Sequence, residues 1–174
     1  MNVWTVRHPP THTEGICVGQ HQVPLKVSLD HAVETVLNHA PFRPTVLFSS
    51  DLPRCERLAT QLALYWGIPH HTDERLREIS MGEWEGQRYD DLQGDPYWEE
   101  WCKNWLKGRP PNGESLADLE NRVQEWLDLG LLSKTSLLIS HAGVVRTLYR
   151  LKGISWMDAM KKDVPHLIWI QIKS

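Results

Sequence analysis

The chain has 174 residues, with a charged fraction of 24%, a hydrophobic fraction of 41% and a formal net charge of −3. This length and composition are typical of one globular domain, so we expect a single domain over residues 1–174. The net negative charge argues against a surface that binds nucleic acid, so we expect no nucleic-acid partner. No run approaches the roughly 18 apolar residues that span a bilayer, so we expect no membrane association.

Three short apolar runs predict the buried strands of a parallel sheet. They are VWTV at 3–6, TVLFSS at 45–50 and TSLLIS at 135–140. Each run is uninterrupted and rich in branched side chains, which is typical of strands that are covered on both faces. Helical spacing of apolar residues behind Ser28 predicts a helix between the first two strands, and a second helix follows the second strand and stops at Gly67.

The remaining elements alternate in the same way. After IPHHT at 68–72, the polar segment 73–95 has no clean period and predicts a long functional loop. A tryptophan-rich helix and a helix that begins at Ser115 precede the third strand, and a helix over 143–153 and an edge strand over 166–172 follow it. Alternating strands and helices predict an α/β fold, a three-layer α/β/α sandwich with a mostly parallel central sheet.

The three cysteines, Cys17, Cys55 and Cys102, are odd in number and widely separated. This pattern fits neither a disulfide framework nor a paired zinc motif, and the first residues lack the pattern of a secretion signal. We therefore expect a cytoplasmic protein.

Polar residues of one chemical kind follow the predicted strands. Arg7 and His8 follow the first strand, Arg54 comes shortly after the second, and His141 follows the third. Because carboxyl ends of neighbouring parallel strands meet in one crevice, these four side chains are expected to converge. Arginine forks and helix N-termini bind phosphate oxygens, so the sequence predicts a phosphate site.

A neutral histidine in such a pocket can attack phosphorus, and His8 is the candidate nucleophile. Arg7, Arg54 and His141 would then stabilise the charge on the phosphoryl oxygens without a metal or another cofactor. Glu78, in the polar loop, is the candidate acid that protonates the leaving group. The expected partner is a small-molecule phosphate ester.

Four blocks of sequence resemble, in order and spacing, the motifs of the histidine phosphatase superfamily, also called the phosphoglycerate mutase-like family. They are VRHPPT, FSSDLPRCERLATQL, LREISMGEWEG and LLISHAGVVRTL. The resemblance implies a phosphoglycerate mutase-like fold over nearly the whole chain. It also implies that His8 becomes phosphohistidine, that Arg7, Arg54 and His141 bind phosphate, and that Glu78 donates the proton.

A narrower resemblance connects GICVGQHQVPL and YWEEWCKNWLKGRPPNGESLADLENRV with the α-ribazole phosphatase branch of that family. It implies a phosphatase for α-ribazole 5′-phosphate, or a related cobamide phosphate, in assembly of the cobalamin nucleotide loop. Trp98, Trp101 and Trp105 recur at helical spacing, so they either pack in the core or form a wall against a benzimidazole base.

The chain departs from the family pattern directly after its Arg-His pair, where most members have Gly and then Glu or Gln. Pro9 has no N–H to offer a phosphate and biases His8 toward an extended backbone, and Pro10 follows it. Glu14 stands near the position at which many relatives have Asn, and an acid there repels phosphate unless it points away.

Four alternatives stay open at this point. The first two are a phosphatase of broad specificity and a phosphoglycerate mutase. The departures at Pro9, Pro10 and Glu14 leave open a phosphate-binding module without turnover. Nine histidines leave open a metal protein, through His8 with His12 or through His70 with His71.

Overall fold

The computed structural model describes residues 3–173, which form one mixed α/β sheet structure. The strands are β1 (Val3–Arg7), β2 (Val46–Ser49), β3 (His70–Thr72), β4 (Ser136–Ser140) and β5 (Trp169–Ile172). The helices are α1 (Leu29–Asn38), α2 (Pro53–Trp66), α3 (Tyr89–Leu92), α4 (Pro96–Asn104), α5 (Leu116–Asp128), α6 (Ala142–Leu151) and α7 (Trp156–Met160).

The strands lie in the order β3-β2-β4-β1-β5. The first four of these strands are parallel, and β5 runs antiparallel to β1 at one edge. β1, β2 and β4, which were predicted as inner strands, lie inside the sheet, and the last strand, β5, lies at an edge as expected. The predicted α/β sandwich with a mostly parallel sheet is confirmed.

Helices cover both faces of the sheet, because side chains of each strand alternate between two apolar layers. On one face, α1 and α2 pack on buried residues of β1, β2 and β4. On the other face, α5 and α6 pack on the remaining residues of the same strands. Since β4 is buried along its whole length, its carboxyl end lies deep in the molecule.

Local signals in the sequence set several helix boundaries. Ser28 accepts a hydrogen bond from the backbone N–H of His31 at the start of α1. Gly67 ends α2 in the left-handed conformation, at φ 63°, which glycine adopts without a steric penalty. At the start of α5, Ser115 and Asp118 form the reciprocal hydrogen bonds of a capping box.

The structure differs from the sequence prediction in the region after α2. The short segment 68–72 contains β3, and the predicted loop 73–95 contains the 3₁₀ turns Glu74–Leu76 and Gly82–Trp84 as well as α3. These elements are too short and too polar to give a periodic pattern. No helix within residues 3–173 is long and apolar enough to cross a membrane.

Candidate active site

The sheet brings the Arg-His pair and His141 together because β1 and β4 are adjacent parallel strands. Arg7 ends β1 opposite Ser140, which ends β4. The backbone N–H of His8 then donates to the carbonyl of Ser140 at 3.0 Å. As a result the rings of His8 and His141 lie 5.1 Å apart, between their centroids.

His8 is held as a neutral imidazole with one nitrogen free. Its Nδ1 lies 2.7 Å from the carbonyl oxygen of Pro9, and since a carbonyl only accepts, we assign the proton to Nδ1. Burial, and next the Arg54 guanidinium, hold the pKa of His8 well below its ordinary value. The lone pair therefore belongs to Nε2, and Pro9, which offers no N–H, contributes the carbonyl that fixes this tautomer.

Arg7 and Arg54 are two desolvated cations beside His8. Arg54 is 6% exposed and donates to the carbonyls of His21 at 2.9 Å and Gly19 at 2.7 Å. Arg7 donates from Nη1 to a backbone carbonyl, but its buried Nε–H has no acceptor within residues 3–173. Burial lowers the pKa of both guanidiniums, and neither forms a salt bridge with a carboxylate among the described residues. Arg54 is buried and Arg7 is half-buried, and two cations that are withdrawn from water in this way favour the binding of an anion.

His141 lies beneath the cavity and is fully buried. Its Nδ1 accepts from Nε–H of Arg54 at 3.3 Å, and its Nε2 lies 3.0 Å from the hydroxyl of Ser50. Burial, and next the proximity of His8, hold the pKa of His141 well below its ordinary value, so the ring is neutral. Its place is under Arg54 and His8, and it is not among the residues that line the cavity.

Glu78 reaches the same site from the loop between the 3₁₀ turns Glu74–Leu76 and Gly82–Trp84. Its carboxylate accepts the backbone N–H of Gly143, in the first turn of α6, at 3.1 and 3.2 Å. Arg122 donates to the carbonyl of Glu78 at 2.9 Å and is itself paired with Glu114. Two helices therefore fix the position of this carboxylate.

A cavity of about 360 Å³ connects these side chains. Its polar end is formed by Arg7, His8, Arg54, Glu78 and His166. Its other walls include apolar and aromatic side chains, namely Ile16, Cys17, Val18, Ile79, Met81, Tyr89 and Trp101. The volume exceeds what a phosphoryl group needs, since cavities of roughly 300–1,000 Å³ take whole small molecules.

The three tryptophans that recur at helical spacing, Trp98, Trp101 and Trp105, lie in different surroundings. Trp98 and Trp101 stack on each other with centroids 5.4 Å apart, and both pack edge-on against the buried Trp84. Trp101 also lines the cavity, as does Tyr89, whose ring lies 5.7 Å from that of Trp98. Trp105 follows the last residue of α4 and lies outside this cluster. Trp101 therefore both packs against the buried cluster and lines the cavity, and a wall against a benzimidazole base stays a prediction.

The departures from the family pattern leave the cavity unobstructed. Glu14 is exposed and forms an ion pair with Lys26. It is not among the cavity-lining residues, so its charge is directed away from the predicted phosphate position.

The histidines of the metal alternative do not converge. His70 lies 2.8 Å from the hydroxyl of Ser49, while His71 stacks on Phe48 on the other side of β3. Within residues 3–173, no group of three or more His, Cys, Asp or Glu side chains is arranged to hold a metal ion.

Sequence reasoning missed two residues of the site. His166 lies 158 residues after His8 in the chain, yet its ring centroid is 5.2 Å from that of His8. Gly143 follows His141 by two positions, and the sequence assigns it only as the first residue of the helix predicted over 143–153. For Gly143 the signal is a glycine two positions after the strand-end histidine, whereas a histidine at the start of the predicted edge strand gives no signal for His166.

Comparisons with known proteins identify the family of the chain. The family model of the histidine phosphatase superfamily (branch 1) matches residues 3–170. The chain is 32% identical over 151 residues to "Probable phosphoglycerate mutase GpmB" of Serratia proteamaculans, with 81% of this chain and 69% of the relative covered. It is 26% identical over 160 residues to "Adenosylcobalamin/alpha-ribazole phosphatase" of Escherichia coli, with 85% and 77% covered.

The fold is also that of a solved structure. The crystal structure of the alpha-ribazole phosphatase from Shigella flexneri superposes with a TM-score of 0.87 over 99% of this chain and 90% of that chain, at 23% identity. At this level of identity the likeness concerns the fold.

Proposed function

Since the chain belongs to the histidine phosphatase superfamily and is a phosphatase, we propose that it hydrolyses α-ribazole 5′-phosphate, or a related cobamide phosphate, through phosphohistidine at His8. The observation that carries the proposal is the polar end of the cavity. There, the free Nε2 of a neutral His8 stands beside Arg7 and Arg54, two desolvated guanidiniums without carboxylate partners.

In the first step, the lone pair on Nε2 of His8 forms a bond to phosphorus as the ester P–O bond breaks. Positive charge then develops on the imidazole, and the Nδ1–H bond to the carbonyl of Pro9 stabilises it. Arg7 and Arg54 stabilise the charge on the phosphoryl oxygens, which is the largest electrostatic demand of phosphoryl transfer. This chemistry uses side chains of the chain alone.

Glu78 acts in both steps. It gives a proton to the leaving alkoxide in the first step, and in the second its carboxylate takes a proton from the water that attacks phosphorus. The N–P bond then breaks, phosphate leaves and His8 is neutral again.

His141 acts from below the cavity. By accepting the Nε–H of Arg54 and packing on the ring of His8, it sets the position of both groups that engage the phosphoryl group. Because the ring is neutral, it accepts this hydrogen bond without repelling the Arg54 guanidinium. In this proposal it orients Arg54 and supports the nucleophile.

Tyr89 and Trp101 form an aromatic wall of the cavity, which favours a substrate with a planar leaving group. Trp101 stacks on Trp98 and lines the cavity together with Tyr89, so an aromatic surface borders the space beyond the polar end. A benzimidazole base gains both buried area and stacking on such a surface. The E. coli relative that is named for α-ribazole supports the same substrate.

A second candidate is phosphoglycerate mutase activity, which the name of the Serratia proteamaculans relative favours. Phosphoglycerate is small and carries a second charge, so it would leave the apolar wall of the cavity unused. A phosphatase of broad specificity would hydrolyse many esters with similar efficiency.

The test is a panel of phosphate esters that includes α-ribazole 5′-phosphate, 3-phosphoglycerate and simple alkyl and aryl phosphates, scored by kcat/KM. We expect α-ribazole 5′-phosphate to be hydrolysed with the highest kcat/KM and the His8→Ala variant to be inactive. Equal kcat/KM across the panel supports broad specificity, isomerisation of 3-phosphoglycerate supports a mutase, and binding without turnover supports the phosphate-binding module.

A further inference from the structure

His166 is a third imidazole at the polar end of the cavity, and the proposed mechanism does not use it. It lies just before β5 and is paired with Arg7 through an isolated parallel bridge. Its ring stands edge-on to that of His8, with a centroid separation of 5.2 Å and an interplanar angle of 64°. It lines the same cavity as Arg7, Arg54 and Glu78.

The segment 164–167 is fixed to the end of β1 by three hydrogen bonds. Nη1 of Arg7 donates to the carbonyl of Val164 at 2.9 Å, and the N–H of Leu167 donates to the carbonyl of Arg7 at 3.0 Å. Nδ1 of His166 lies 2.6 Å from the carbonyl oxygen of His8. Leu167 is buried with φ 64°, a left-handed conformation that is rare for a leucine and that clusters at functional sites.

Hydrogen-bond geometry decides which nitrogen of His166 is available. A carbonyl oxygen only accepts, so the proton is on Nδ1 and donates to His8. Nε2 then carries a lone pair in the neutral ring, and no group within residues 3–173 bonds to it. Nε2 of His166 is therefore available to a ligand, and its ring borders the space where the phosphoryl group is proposed to bind.

The charged groups around His166 determine when it carries a proton. Arg7 at the end of β1 and Lys26 in the segment before α1 face it, as does the neutral His8; Lys26 is also paired with Glu14. Burial, and then Arg7 and Lys26, lower the pKa of His166, against the hydrogen bond to His8, which raises it. A dianionic phosphoryl group reverses this balance, because an opposite charge favours the imidazolium.

We propose that His166 is a further phosphate-binding residue of this site, which takes up a proton from solvent on binding and then donates Nε2–H to a phosphoryl oxygen. The inference rests on the proposed function, since it requires that the cavity binds phosphate. The phosphoryl group would then be bound by two guanidiniums, those of Arg7 and Arg54, and by the imidazolium of His166.

A pair of substitutions separates this role from a structural one. In His166→Asn the amide nitrogen takes the place of Nδ1 and keeps the bond to the carbonyl of His8, but the group at Nε2 is lost. In His166→Gln the longer side chain places an amide near Nε2 and gives up that bond. The readout is the affinity for inorganic phosphate, measured by isothermal titration calorimetry, which needs no turnover.

We expect His166→Asn to weaken phosphate binding roughly 10-fold or more, as for loss of a charge-assisted hydrogen bond, and His166→Gln to weaken it less. His31→Asn, on the exposed face of α1, is the matched control and should bind as the wild type does. The opposite order, with Asn unaffected and Gln impaired, means a purely structural role and overturns the inference.

Proton uptake provides a second measurement that does not depend on folding of the His166 variants. Phosphate is titrated into Glu78→Gln at pH 8 in two buffers of different ionisation enthalpy, so that Glu78 contributes no proton. We expect net uptake of a proton, and its absence overturns the inference. Failure of the wild type to bind phosphate also overturns it, whereas the proposed function fails on a separate result, the absence of His8-dependent hydrolysis.

Discussion

Gly143 donates its backbone N–H to both carboxylate oxygens of Glu78, at 3.1 and 3.2 Å, in the first turn of α6. This close approach is possible because residue 143 has no side chain: a Cβ there would overlap Oε1 of Glu78. The turn that follows the strand-end His141 therefore fixes Glu78, the proposed acid, at the polar end of the cavity.

Substitution Gly143→Ala is expected to displace the Glu78 carboxylate and remove the protonation of the leaving group. We expect kcat for alkyl phosphates to fall by about 100-fold, within the range for loss of general acid catalysis. The measurement compares an alkyl phosphate with 4-nitrophenyl phosphate, whose leaving group departs without a proton. Hydrolysis of the nitrophenyl ester should change much less, and equal losses on the two substrates would contradict the assigned role of Glu78.

The aromatic wall makes a prediction about substrate choice. Trp101→Ala should lower kcat/KM for α-ribazole 5′-phosphate about 10-fold, because it removes one stacking surface, and should leave a small alkyl phosphate nearly unchanged. Trp105→Ala is the matched control, since Trp105 lies outside the cluster that lines the cavity. Equal losses on both substrates, or an equal effect of Trp105→Ala, would show that the wall does not select the leaving group.

The proton on His8 can be observed directly. Because burial and Arg54 lower its pKa, His8 should be neutral at pH 7 and protonate only below its ordinary value of 6.5, with the proton on Nδ1 in the neutral form. Nitrogen-detected NMR titration reports both the pKa and the tautomer of His8. Titration of His8 above 6.5, or a proton on Nε2, would contradict the assignment of the nucleophile.

The same depressed pKa values couple stability to pH. His8 and His141 protonate more readily in the unfolded chain than in the folded one, so the unfolded state binds more protons as pH falls below 6.5. The free energy of unfolding should therefore decrease toward acid pH, by about 1.4 kcal/mol per pH unit for each proton taken up. Above pH 6.5 the two histidines should cause no further loss of stability. Urea unfolding at several pH values measures this slope, and His141→Gln should reduce it.

Arg122 is the residue whose loss should disturb the position of Glu78 from outside the cavity. It is half-buried, pairs with Glu114, and donates to the carbonyls of Arg75, Arg77 and Glu78. Arg122→Met leaves these acceptors and Glu114 without their donor and should destabilise the fold by roughly 3 kcal/mol.

The control for Arg122 is Arg150→Met. Arg150 pairs with Glu120 near the surface, and exposed pairs contribute little, so the loss should stay below about 1 kcal/mol. Thermal or urea unfolding compares the two variants. Similar losses would show that the buried network around Glu78 adds nothing to stability.

How far the sequence predicts this molecule depends on the length and pattern of each element. The runs at β1, β2 and β4 are apolar and continuous, so both the strands and the convergence of Arg7, His8 and His141 at their ends follow from the sequence. β3, by contrast, consists of His70–Thr72, a polar segment at the other edge that only pairing with β2 makes a strand.

The parts of the site that the sequence did not predict arise from tertiary contacts. His166 enters through the pairing of the segment before β5 with the end of β1, and no local pattern reports which way its ring turns. The sequence predicts that Pro9 removes an N–H and biases His8 toward an extended backbone, but it does not predict that the Pro9 carbonyl fixes the tautomer of His8. Stacking of Trp101 against Trp98 depends on where α4 lies against Trp84.

The most direct test of the central claim is to trap the phosphoenzyme. The protein is mixed with an excess of ³²P-labelled phosphate ester and quenched, then analysed for an acid-labile, alkali-stable label, which is characteristic of phosphohistidine. We predict label on a peptide that contains His8 in the wild type and none in His8→Ala, with His31→Asn labelled as the wild type is. Label that survives in His8→Ala, or turnover by that variant at the wild-type rate, would contradict the assignment of His8 as the nucleophile.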